Sequence, residues 1–103
     1  SALEQADDRI VAGRAMDGDV AAFAVLVRRY TPMMRAYTQR MLNASADVDD
    51  IVQETFVTAW QRFSELDDPA KAKSWLMRIV SRKAVDRIRA LRPTLDVDDM
   101  EQA

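Results

Sequence analysis

Asp47-Val48-Asp49-Asp50-Ile51-Val52-Gln53-Glu54-Thr55-Phe56-Val57-Thr58-Ala59-Trp60-Gln61-Arg62-Phe63 is the stretch that decides the fold class. At about 100° per residue, Val48, Ile51, Val52, Thr55, Phe56, Ala59 and Phe63 fall on one side of a helix. Asp47, Asp50, Gln53, Glu54, Val57 and Gln61 take the other. A helix from Asp47 to Phe63 with one apolar and one acidic face is therefore expected. Its neighbours repeat the pattern. Upstream, Phe23, Leu26, Val27, Tyr30, Met34, Tyr37 and Met41 are spaced by three or four residues and mark a second buried stripe. Pro32 lies inside it and predicts a kink or short break, with Thr31 capping a restart. Before it, a helix over Leu3–Met16 should stop at Asp17-Gly18-Asp19. Gly18 suits a left-handed C-cap there, and Asp19 an N-cap. Asn43-Ala44-Ser45 reads as a connector.

Downstream, residues 64–73 contain Pro69, lack periodicity and read as a loop. Ser74 is placed to N-cap a last helix from Trp75 to Leu91, which Pro93 ends. No strand pattern competes, so the expected class is all-α, a compact bundle of about four helices over residues 1–92. Residues 93–103, with Asp96-Val97-Asp98-Asp99, read as an acidic flexible linker.

Composition narrows the chemistry. The chain has 103 residues, 15 Lys+Arg, 17 Asp+Glu, a net charge of −2, and neither Cys nor His. One domain is expected at this length, with a modest core. Without cysteine there is no disulfide framework or thiolate metal site. Without histidine, Ser-His-Asp, Cys-His and HExxH chemistry are excluded. Neither a cofactor nor a metal is called for, because Asp47/Asp49 and Asp96/Asp98 are explained by helix capping and a solvated tail. No apolar run reaches the ~20 residues of a membrane span. A cytoplasmic, binding-only protein is the expectation.

The charge is segregated. Residues 44–70 hold seven acids and one Arg, whereas residues 71–92 hold eight Lys/Arg and one Asp. In the last helix Leu76, Met77, Val80, Ala84, Ile88 and Leu91 share a core arc, and Arg78, Arg82, Arg89 and Arg92 an opposed one. Lys71 and Lys73 lie just upstream, and Trp75 borders the basic arc. Such a stripe suits a phosphate backbone, with an aromatic ring available to stack an unpaired base. The acidic face of the preceding helix would be repelled by phosphate. Its Asp50, Gln53 and Glu54 suit arginines of a partner protein instead.

Asp47–Phe56 with Trp60 resembles the core-binding helix of bacterial sigma factors. Gly18-Asp19, Ala22-Phe23 and Leu26-Val27-Arg28-Arg29-Tyr30 look like the opening of the extracytoplasmic-function (ECF) group. Trp75-Leu76-Met77-Arg78-Ile79-Val80, with Asp86-Arg87 and Arg89, is similar to that group's promoter-recognition helix. The resemblance spans about residues 8–92 and implies the second conserved sigma domain. It assigns Asp47, Asp50, Gln53, Glu54 and Trp60 to the clamp coiled coil of the largest subunit of core RNA polymerase. Lys71, Lys73, Ser74, Trp75, Arg78, Arg82 and Arg89 go to the non-template strand of the −10 promoter element, with a base pocket lined by residues 65–74. An anti-sigma factor, which many relatives have, joins the partners it admits. The acidic tail would lead toward a −35-binding domain absent from this chain.

Two departures carry expectations. Arg82 stands where relatives commonly have Asn, which favours a phosphate contact there. No aromatic lies between Phe63 and Trp75, so strict promoter preference and weak melting of imperfect sites are expected. The rival reading is a non-catalytic helical adaptor docking two proteins through its acidic and basic faces.

Overall fold

A computed structural model describes residues 2–42 and 45–91 of the chain. It contains five helices: α1 (Ala2–Gln5), α2 (Asp8–Met16), α3 (Val20–Leu42), α4 (Ser45–Gln61) and α5 (Ala72–Leu91). Short 3₁₀ turns at Phe63–Glu65 and Pro69–Lys71 join α4 to α5, and the described residues include no strand. The central helix α3 packs against α2, α4 and α5. Val11, Leu26, Met34, Val48, Ile51, Leu76 and Val80 are fully buried between them. Thr38 and Thr55 are buried as well, and each hydroxyl donates to the carbonyl four residues back, Met34 at 2.8 Å and Ile51 at 2.7 Å. No polar cost is left in the core at these positions.

The apolar side read from α4 is the buried side. Val48, Ile51, Val52, Thr55, Phe56, Ala59 and Phe63 are all buried. The helix itself closes at Gln61, two residues early, and Phe63 reaches the core from the first 3₁₀ turn.

Elsewhere the sequence reading needs correction. The expected first helix is broken in two at Ala6-Asp7. Asp7 accepts the Arg9 amide at 2.9 Å and so starts a new helix. Arg29, from α3, donates to the carbonyls of Glu4 at 2.9 Å and Ala6 at 2.5 Å, satisfying the end of α1. Pro32 does not break α3, which continues through it. Thr31 caps no restart; its hydroxyl donates back to Val27 at 2.6 Å.

Ser74 is not an N-cap either. Asp68 accepts the Ala70 amide at 2.9 Å, Pro69 opens a 3₁₀ turn, and α5 starts at Ala72. Ser74 lies inside the helix and donates to the Lys71 carbonyl at 3.1 Å. The segment 64–73 is thus not a free loop, because its second turn packs against α2. Leu91, assigned to the core, is 59% exposed, since no other described element packs over that end of α5. Ser45 belongs to α4, while Asn43, Ala44, Arg92 and the acidic segment 93–103 lie outside the described residues.

The α2–α3 turn matches its reading. The Gly18 amide bonds to Ala15 and that of Asp19 to Arg14, both at 3.0 Å, with Gly18 at φ 92°. Asp19 Oδ1 then accepts the Ala22 amide at 3.2 Å. Gly18→Ala should cost about 1–2 kcal/mol, because a Cβ is strained at that φ. Urea denaturation would measure it.

Candidate functional site

Two surfaces carry the residues singled out above. The first is an apolar groove of about 650 Å³ between α3 and α4. Phe23 and Val27 of α3 face Val52, Phe56, Val57 and Trp60 of α4 across it. Val57 is 52% and Trp60 39% exposed, so large apolar side chains stand in solvent along its wall. Gln53 lines the groove, and an Arg35–Asp49 ion pair closes one end. Asp50 is exposed and forms no ion pair among the described residues.

Asp47 and Glu54 are placed differently. Arg87 of α5 donates to Asp47 at 2.6 Å and to Glu54 at 3.1 Å, tying the acidic face of α4 to α5. Of the five residues assigned to the polymerase, Gln53 and Trp60 therefore line the groove, Asp50 is free on the outer face, and Asp47 and Glu54 hold an internal cation. No spacing signal could have found Arg87, since its partners are 40 and 33 residues away.

The second surface is a polar recess of about 310 Å³ where the 64–71 segment meets the first turns of α5. Lys71, Ser74, Trp75 and Arg78 line it, together with Glu65, Asp67 and Asp68. It shares no lining residue with the groove. Trp75 is half-buried, its ring edge-on to Phe63 at 5.4 Å between centroids, while another part of it borders the recess. Core support and ligand access thus coexist in one residue. Arg82 lies beside the recess, in an adjoining crease shared with Arg78. Lys73 and Arg89 are exposed but line neither. Arg89 stands about 16 Å from Arg78 along the axis of α5.

An aromatic file connects the two surfaces. Trp60 contacts Phe23 at 5.0 Å, Phe23 contacts Phe63 at 5.6 Å, and Phe63 contacts Trp75. Sequence reasoning also missed Arg62, which enters the crease. Its guanidinium holds Glu65 through two bonds of 3.1 and 2.8 Å. That bonding raises the Arg62 pKa and lowers that of Glu65 from their ordinary values. Among the described residues no group of acids could hold a metal, and no helix is long and apolar enough to cross a membrane.

The family model for Sigma-70 region 2 matches residues 26–94. This chain belongs to the sigma-70 region 2 family. The region is similar to the RNA polymerase sigma factor NccH of Alcaligenes xylosoxydans xylosoxydans, at 36% identity over 91% of this chain and 54% of that protein. The chain thus spans about half the length of the curated relatives it matches. Its fold is similar to that of an engineered region 2 of sigmaE in complex with GTAAAA, with a TM-score of 0.76 and 34% identity over 84% of this chain and 90% of that one. It is also similar to CnrH in complex with the cytosolic domain of CnrY, with a TM-score of 0.72 and 38% identity over 77% of this chain and 51% of that one. The all-α fold read from the sequence is that of sigma region 2.

Proposed function

We propose that this sigma region 2 serves transcription initiation through two separate contacts. It docks core RNA polymerase along the α3–α4 groove, with Trp60 and Gln53 in the groove and Asp50, Asp47 and Glu54 on the acidic side. It holds the −10 promoter element as a single strand at the start of α5. A base enters the recess beside Trp75 and Ser74, while Lys71, Arg78 and Arg82 meet phosphates and Lys73 and Arg89 extend the cationic track. It performs no catalysis of its own and acts in the cytoplasm beside the polymerase.

The observation that carries this reading is the recess: a cavity walled by Trp75 and Arg78, on a region similar to one solved with GTAAAA. The apolar groove, which shares no residue with it, supports a second, protein partner. The complex of CnrH with the cytosolic domain of CnrY supports a further protein partner, of the anti-sigma kind.

Selection of single strands from a randomised pool, alone and with core polymerase present, tests both contacts. The expected result is retention on core polymerase together with an enriched, sequence-defined strand. Arg78→Ala and Arg82→Ala should each reduce the salt slope of strand binding by about 0.7. Retention of neither polymerase nor strand would overturn the reading. Binding of two unrelated proteins through the two faces would favour the adaptor.

A further inference from the structure

Arg62 is the one cation between residues 44 and 70, in the most acidic stretch of the chain. The fold delivers it to a crease of about 260 Å³ alongside Arg78 and Arg82, with Glu65, Trp75 and Ile79 completing the walls. Three guanidiniums there face one carboxylate, so the crease carries excess positive charge. It shares Glu65, Trp75 and Arg78 with the recess. The two cavities therefore adjoin, so the sugar–phosphate of a nucleotide whose base occupies the recess can reach the crease.

The Arg62–Glu65 pair is well formed but open to water, its side chains 58% and 53% exposed. Exposed pairs of this kind hold weakly. A guanidinium fork that fits two carboxylate oxygens fits two phosphate oxygens as well. Releasing Glu65 therefore exposes donors already arranged for an anion.

We infer that Arg62, together with Arg78 and Arg82, receives the phosphodiester adjoining the base in the recess, and that Glu65 competes for Arg62 in the free chain. This rests on the proposed reading of the recess as a base site. The ligand is the backbone of a single strand, so the contact is independent of base identity. Glu65 makes it conditional: a strand gains Arg62 only by displacing the carboxylate.

The test uses the full chain and a fluorescent single strand selected on it from a randomised pool. Arg62→Ala should weaken binding several-fold and lower the salt slope by about 0.7. Glu65→Gln should strengthen binding several-fold, and in an Arg62→Ala background that gain should vanish. Replacing single linkages by neutral methylphosphonates should reveal one position at which Arg62→Ala no longer matters. An unchanged affinity and slope in Arg62→Ala, with Arg78→Ala still defective, would overturn the inference and leave the proposed function standing. An equal gain from Glu65→Gln with and without Arg62 would also overturn it, by reducing Glu65 to general repulsion. A pool that yields no binder would overturn the inference together with the strand-binding half of the proposed function, leaving the polymerase contact to its own test. Circular dichroism checks each variant's fold, and because Arg62 and Glu65 are exposed and outside the core, all should melt like the parent.

Discussion

Asp50→Arg should reduce affinity for core RNA polymerase by at least about thirtyfold, the equivalent of ~2 kcal/mol for a reversed charge at a complementary interface. The position makes this a clean measurement. Asp50 is exposed and unpaired among the described residues, so its reversal breaks nothing inside the fold. Glu54→Arg does not share that property. It would place a cation against Arg87 and remove one of the two bonds joining α4 to α5. Loss of polymerase binding in Glu54→Arg therefore mixes a contact effect with a fold effect. Surface-immobilised polymerase titrated with each variant, beside their thermal melts, separates the two. Asp50→Arg binding like the parent would remove the outer face of α4 from the interface and leave the groove alone as candidate.

Leu76→Ala should cost about 3 kcal/mol, within the range for a fully buried leucine whose neighbours cannot close the cavity. For a domain near 100 residues this lowers the melting temperature by at least ~10 °C. Leu76 sits in the second turn of α5, directly after Trp75, so the same change should loosen the recess and weaken strand binding before global unfolding. Leu91→Ala is the paired control. With Leu91 largely in solvent, a change within about 0.5 kcal/mol is expected. Calorimetry on both variants distinguishes core from surface on one helix.

The legible parts of this fold are those where one helix decides its own face. Val48, Ile51, Val52, Thr55, Phe56 and Ala59 of α4 and Leu76, Val80 and Ala84 of α5 could be placed because burial follows from helical spacing alone. Gly18 was legible because a single residue type fits its φ. Some misreadings are local, as where Asp68 rather than Ser74 supplies the cap, and others come from contacts made at long range. The break at Asp7 is capped locally, but it is also supported by Arg29, more than 20 residues away, which occupies the carbonyls of Glu4 and Ala6. The short break does not form at Pro32, because the burial of Leu26, Tyr30 and Met34 outweighs one missing backbone bond and α3 continues. Leu91 has the right phase, but none of the described elements covers it.

The candidate site divides in the same way. Trp75, Arg78 and the acidic face were readable from helical phase, together with the resemblance to sigma factors. The apolar groove needed two helices brought together, and Phe23 and Val27 had been read only as core. The pairing of Arg87 with α4 and the position of Arg62 could not be read, for different reasons. The first pairs with residues far away in sequence; the second was read inside a helix running to Phe63, but that helix closes at Gln61 and leaves Arg62 on the turn, where helical phase no longer gives its direction.

The aromatic file has a practical consequence for observing this molecule. The chain's two tryptophans, Trp60 and Trp75, stand at its ends, one in each proposed interface. Ultraviolet emission thus offers a label-free optical report on both, and a titration with either proposed partner should change the same signal. Trp60→Phe and Trp75→Phe split that signal into two independent channels, so the order in which the partners arrive can be timed on unlabelled material.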